Sequence, residues 1–277
     1  MTSPEPTSAP AIRPATPADY ELFARLFLEL KVDDPVLDRE RWQKELAPET
    51  LVIEDEAGRG AGYAFVNVLA GVGYVRHLAV DPSFRRRGFG RALLLEVAKR
   101  LRGAGCEQWC LNVKPDNEGA IALYQGLGMA PEHLATALRF DWSLAAALPR
   151  SPDVIVSPLL PGDDAAVECT FGLSPGQLAH ARTLGGRVIL AVTDRARGEL
   201  FAGVAVFDPA FPGAFPFRVS RPELAADLLA ALQPHALPSL PYMHVVARDA
   251  ALTRLLLDRG ARVRFEMVHL RGLIPSV

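Results

Sequence analysis

Cysteine is scarce in this chain of 277 residues: three are present, Cys106, Cys110 and Cys169. A small odd number builds no disulfide framework, and no Cys/His cluster with zinc spacing accompanies it, so the expected compartment is the reducing cytoplasm and no metal is expected. A surplus of positive charge is missing too, since 30 Lys+Arg stand against 32 Asp+Glu for a formal net charge of −2. Without a global positive field, neither nucleic acid nor an anionic membrane surface is expected as a partner. No stretch approaches eighteen uninterrupted apolar residues, which excludes a membrane-spanning helix. The first eleven residues, MTSPEPTSAPA, have neither a basic nor an apolar region and read as a disordered tail over 1–11 rather than a signal peptide. Lysine is rare at Lys31, Lys44, Lys99 and Lys114, a bias that carries no mechanistic weight.

What is present is globular: 49% hydrophobic and 22% charged residues, in a length that suits two domains. Ile12-Arg13 reads as a short strand. Thr16-Pro17-Ala18-Asp19 then supplies an N-cap, a proline at the first helical position and an acid three residues after the cap, opening a helix to about Lys31. A helical piece over 37–46 precedes a hairpin of 51–54 and 62–69. The nearly continuous apolar run 74–80 predicts a central strand. Over 87–102, Phe89, Leu93, Leu94, Val97 and Leu101 recur at three and four, which predicts an amphipathic helix. A strand over 106–113, a helix capped by Asp116/Asn117 and stopping near Gly128, and a strand over 134–142 close a first domain, 12–142. Residues 143–153, with Pro149 and Pro152, read as a linker.

The remainder, 154–277, repeats the layout more weakly, with strands at 187–192, 200–207, 214–219, 242–247 and 262–270 and helices at 222–232 and 250–258. A shift of 132 places Val113 on Val245, Asn117 on Asp249, Tyr124 on Leu256 and Gly128 on Gly260, which suggests duplication. An unrelated α/β appendage is the competing reading.

The chemistry concentrates where the 74–80 strand turns into the 87–102 helix, through Asp81-Pro82-Ser83-Phe84-Arg85-Arg86-Arg87-Gly88-Phe89-Gly90-Arg91. A helix N-terminus offers unpaired N–H groups and a positive dipole end, and arginine forks add charge, so the segment predicts an anion site. Glycines in a first helical turn cost about 1 kcal/mol each relative to alanine, which argues for a purpose. The pattern is neither a dinucleotide fingerprint nor a P-loop.

Arg85-x-x-Gly88-x-Gly90, preceded by Leu78-Ala79-Val80-Asp81-Pro82 and followed by Asn117-x-x-Ala120-x-x-x-Tyr124-x-x-x-Gly128-Met129, resembles the GNAT acetyltransferases over about residues 10–142. The resemblance implies two GNAT-like α/β domains, each a mixed, mostly antiparallel sheet flanked by helices, the first intact and the second degenerate. It implies acetyl-CoA as acyl donor, with Arg85, Arg86, Arg87, Gly88, Gly90 and Arg91 at the pyrophosphate, the Leu78 and Val80 backbone along pantetheine, and Asn117 lining the site. Tyr124 is implied as the acid that protonates the departing thiolate. Asn117 and Tyr124 are seven residues apart and so share a helix face.

His77 is a candidate base beside a bland structural reading, and the strand offers no glutamate, so proton removal through water stays open. Around Phe217–Pro222 no glycine occurs and Leu256 replaces tyrosine, so phosphate binding and acid catalysis are not expected in the second half. The expected function is transfer of an acetyl group to an amine of a small molecule or a peptide or protein N-terminus, by a monomer or homodimer. A catalytically inactive CoA-binding sensor or scaffold, and a thiol-ligase-like acyltransferase of tandem layout, are the alternatives.

Overall fold

The computed structural model describes residues 10–32, 35–69 and 71–276. Most of the tail expected over 1–11 therefore lies outside the described residues. The chain divides into two compact units, one made of Met1–Asn112, Asn117–Pro131 and Leu270–Val277, the other of Val113–Asp116 and Glu132–His269.

The first unit begins with β1 (Ile12–Pro14), a capping box of Thr16 and Asp19, and α1 (Tyr20–Phe27). Arg13 forks onto Asp19 at 2.8 and 2.9 Å and reaches Glu54 at 2.7 Å, which holds the Asp19 carboxyl below its ordinary range. The predicted piece over 37–46 is one turn, α2 (Arg39–Arg41), that widens into a π turn over Trp42–Leu46. The wide turn turns Trp42 inward, where its ring stacks on Phe23 at 4.6 Å inside a core with Phe27, Tyr63 and Phe65.

Strands β2 (Thr50–Glu54), β3 (Gly60–Leu69) and β4 (Val72–Val80) follow, then α3 (Phe89–Gly103), β5 (Gln108–Val113), α4 (Glu118–Gln125) and β6 (Met129–Asp141), of which only Met129–Pro131 belongs to the first unit and the rest to the second. The strand order is β1-β2-β3-β4-β5, antiparallel except for the parallel pair β4–β5. The five apolar residues whose spacing predicts α3 are all buried.

The second unit holds α5 (Trp142–Ala147), β7 (Val154–Pro158), α6 (Asp164–Phe171), α7 (Gln177–Thr183), β8 (Val188–Asp194), β9 (Glu199–Asp208), β10 (Gly213–Val219), α8 (Ala225–Leu232), β11 (Tyr242–Ala247), α9 (Ala250–Asp258) and most of β12 (Arg262–Leu273). Its strand order is β12-β6-β11-β10-β9-β8-β7, in which β10 and β11 pair in parallel. Residues 143–153, read from sequence as linker, contain α5, whose Leu144 and Ala145 are buried. The last four residues of β12, Leu270–Leu273, belong with the first unit beside β5.

Each unit is thus a mixed α/β layer with a mostly antiparallel sheet. Elements β1 to α4 have counterparts β7 to α9 in the same order, one parallel strand pair included. Asn117 caps α4 by accepting from Ala120 N at 3.2 Å, and Asp249 caps α9 by accepting from Leu252 N at 2.7 Å. Gly128 and Gly260, past those helices, both have positive φ.

Candidate functional site

Two departures from regular pairing open the sheet at β4. The register between β3 and β4 shifts between Phe65/His77 and Val66/Val75, which leaves Arg76 as one extra residue, a β-bulge. The parallel ladder between β4 and β5 ends at Val75 and Leu111, yet β4 runs on to Val80 and β5 to Val113. The two strands therefore part. Asp81 N–H donates to Ala61 O at 2.9 Å, which fixes the antiparallel alternation: residues 77, 79 and 81 bond toward β3, while Leu78 and Val80 aim N–H and C=O away from it, into the opening.

The turn that follows is held by Asp81. Its carboxylate accepts from Ser83 N at 2.9 Å and Ser83 Oγ at 2.6 Å and pairs with Arg25. These bonds, Ser83's hydroxyl first and Arg25 next, hold the Asp81 carboxyl at about 2. The Pro82–Phe84 turn then delivers the chain to α3 through two left-handed residues, Arg86 at φ 62 and Gly88 at φ 86. Gly88 is the N-cap and no side chain caps it, so the N–H groups of the first turn of α3 have no partner from a capping side chain. The two neighbouring glycines do different work. Gly88 adopts a backbone that side chains resist, with open space beside it. At Gly90 a Cβ would lie 3.3 Å from Leu123 Cδ2 and 3.7 Å from Val80 Cγ2, so this glycine lets α3 approach α4 and β4 closely.

The arginines also divide. Arg85 donates Nε to Val80 O at 3.0 Å and pairs with Glu29 at 2.6 Å, tying the turn to the strand end and to the segment after α1. Arg91 donates to Gly126 O at 3.3 Å, beyond the C-terminus of α4. Arg87 lies over the Phe84 and Phe89 rings at 5.3 and 5.8 Å. Arg86 is exposed and makes no side-chain hydrogen bond or ion pair among the described residues.

Tyr124 projects from α4, and its ring is buried. Its hydroxyl makes no hydrogen bond among the described residues, yet it is not one of the sealed polar atoms, so water reaches it. Burial pushes its pKa up to about 12, which keeps the proton on at neutral pH. Asn117 is exposed, its side-chain oxygen occupied by the cap.

His77 sits among Phe27, Phe65 and Tyr63, with ring centroids 5.4, 5.3 and 6.1 Å away and the Tyr63 hydroxyl 3.5 Å from Nδ1. Burial, with Arg76 adding repulsion, lowers its pKa to about 4, so the ring is neutral at pH 7 and a weak proton acceptor. Sequence reasoning gave no role to the Arg76 bulge or to Asp81; the Asp-Pro-Ser run was the available signal for the latter. Among the described residues no group of His, Cys, Asp and Glu could hold a metal ion, and no helix is long and apolar enough to cross a membrane.

A model of the Acetyltransferase (GNAT) family matches residues 18–129. The [Ribosomal protein bS18]-alanine N-acetyltransferase of Escherichia coli K12 is 38% identical over 71 residues, 26% of this chain and 48% of that relative. An acetyltransferase of Yersinia enterocolitica is 32% identical over 95 residues, 34% of this chain and 67% of the relative. The chain thus spans about half the length of the first of these relatives. Among solved structures, a tandem GNAT protein from the clavulanic acid biosynthesis pathway matches over 97% of this chain and 100% of its own, with a TM-score of 0.59 at 18% identity, a likeness of fold.

Proposed function

This chain belongs to the GNAT acetyltransferase family, and from that premise we propose that its first unit moves an acetyl group from acetyl-CoA to an amine of a small molecule or of a peptide or protein N-terminus. The parted strands β4 and β5 carry the reading. An extended chain with amide groups, such as pantetheine, fits beside Leu78 and Val80 because no strand pairs with them on that side, although Val80 C=O is also engaged by Arg85 Nε. The pyrophosphate fits at the N-terminus of α3, where backbone N–H groups, the helix dipole and exposed Arg86 and Arg87 converge on negative charge. Arg85 and Arg91 hold the turn and helix in place, and Asn117 starts α4 so that Tyr124 is aimed.

When bound, acetyl-CoA supplies the activated thioester. The Leu78 and Val80 backbone orients it, β4 N–H groups stabilise charge on the carbonyl oxygen, and Tyr124 gives its hydroxyl proton to the departing sulfur. His77, neutral and caged, is a packing group, and the proton of the amine leaves through water. An acceptor of low pKa follows: an α-amino group near 8 is about a tenth neutral at pH 7, whereas a lysine-like amine near 10.4 is under ~0.1% neutral. The E. coli relative, whose name gives a ribosomal-protein alanine as its target, supports an amino-terminal acceptor.

The second unit is the degenerate copy. Its corresponding turn, Ser220-Arg221-Pro222, has no glycine, Arg221 is bound to Asp194 and Glu199, and Leu256 stands where Tyr124 does. The test is acetyl-CoA consumption by the full chain over N-terminal peptides, amino acids, polyamines and aminoglycosides. Turnover highest with α-amino acceptors is expected. Tight CoA binding with no turnover on any acceptor would overturn the enzyme in favour of a CoA sensor.

A further inference from the structure

The second unit repeats the parting of strands but fills it differently. The parallel ladder of β10 and β11 ends at Ala214 and Val245, although the strands continue to Val219 and Ala247. The β9–β10 register shifts between Ala214 and Phe217, as β3–β4 does at Arg76. Two glycines set the correspondence: a Cβ on Gly62 would lie 2.8 Å from Ala79 O, and one on Gly203 would lie 3.1 Å from Arg218 O. Tyr63 pairs with Ala79 and Val204 with Arg218. An arginine therefore stands in the second unit where the first has alanine.

Arg218 is only 9% exposed. Its Nη1 donates to Phe217 O at 2.9 Å and Val246 O at 3.3 Å, reaching from β10 to β11. Nε and Nη2 are sealed from solvent and have no partner. No carboxylate pairs with the guanidinium among the described residues, and the charge that acts on it, Arg248, has the same sign. Burial and Arg248 lower its pKa to about 9, which still leaves it charged at pH 7. A buried, uncompensated cation with unmade donors is a costly arrangement. Nε and Nη2 form one edge of the planar fork, whose two parallel N–H bonds match two oxygens of one oxyanion.

We propose that the second unit, where β10 and β11 are unpaired beyond Ala214 and Val245, opens to admit a ligand bearing a carboxylate or phosphate group, which the Nε and Nη2 edge of Arg218, closed to solvent in the unliganded fold, then holds. The site is separate from the acetyl-CoA site and does not depend on it.

The test uses the full chain with saturating CoA, so that anion binding to the first unit does not interfere, at constant ionic strength set with sodium chloride. Sodium formate and inorganic phosphate are titrated separately while the side-chain Nε–H resonance of Arg218, assigned by its loss in Arg218→Met, is followed by NMR. A saturable shift with formate identifies a carboxylate source and one with phosphate a phosphoryl source; calorimetric binding should vanish in Arg218→Met and weaken about tenfold or more in Arg218→Lys, which keeps charge without the fork. No saturable shift with either anion, or equal binding by wild type and the variants, would show that Arg218 only bridges two strands and would overturn the site. Should Arg218→Met not fold, selective arginine labelling with Arg218→Lys supplies the assignment, and the wild-type titration decides alone.

Discussion

Asp81 shows how one carboxylate sets the start of the phosphate turn. Its folded pKa of about 2 lies below the ordinary value near 3.9, so the folded state binds fewer protons. The stabilisation is therefore full above about pH 4 and is lost as pH falls through 2. We expect the thermal midpoint of wild type to fall more steeply between pH 4 and 2 than that of Asp81→Asn; parallel curves would show that the turn does not depend on the charge. Tyr124 and His77 are separated by the same kind of argument. Tyr124→Phe keeps the buried ring and deletes an open, unpartnered hydroxyl, so turnover should drop ~10²–10⁴-fold with CoA affinity unchanged. His77→Phe should change turnover by less than about tenfold and leave the pH profile over 6–10 intact, because the ring does not titrate in that range. A lost inflection in that variant would make His77 the base.

At the scale of elements, α3 was legible because its signal is local. Phe89, Leu93, Leu94, Val97 and Leu101 mark the buried face by spacing alone, and Arg100 and Arg102 mark its end. The parting of β4 from β5 was not legible, since a bulge and the end of a ladder are properties of two strands' registers and leave no pattern in either one. Short α6 and α7 were missed for a related reason: seven or eight residues give too few turns for a periodic signal. Sequence also made Gly88 and Gly90 equivalent, and the geometry separates them. Gly88→Ala is expected to cost ~1–2 kcal/mol from its left-handed backbone. Gly90→Val should cost ~1–3 kcal/mol from overpacking against Leu123 and Val80. Gly88→Glu should in addition abolish CoA binding in a folded protein, because it adds negative charge where N–H donors face the phosphates. Urea unfolding and calorimetry measure the two effects; unperturbed CoA affinity in folded Gly88→Glu would remove the turn from the site.

For the whole molecule, the duplicated order of elements was visible in the 132-residue shift that aligns Asn117 with Asp249 and Gly128 with Gly260. Its earlier part follows another shift, in which Ala61-Gly62-Tyr63-Ala64 matches Ala202-Gly203-Val204-Ala205, and one fixed offset hides it. What linear reading could not supply is the composition of the first unit, because Leu270–Val277 joins it from the far end of the chain. Within that unit Ile274 N–H donates to Glu107 O at 2.9 Å, Arg102 bonds to Pro275 O, and Gly272 packs on the backbone of Gly128 and Met129. Leu270 and Ile274 are buried, and losing two such side chains removes ~3–6 kcal/mol, a large share of the 5–15 kcal/mol that typically holds a domain. A chain ending at His269 should therefore lose protection from hydrogen exchange throughout α3, β4 and β5 and bind CoA weakly or not at all. Protection in α8 and β9, which the removed residues do not join, should persist. Equal protection of α3 and unchanged CoA affinity in the shortened chain would show that the first unit is complete without its C-terminal segment.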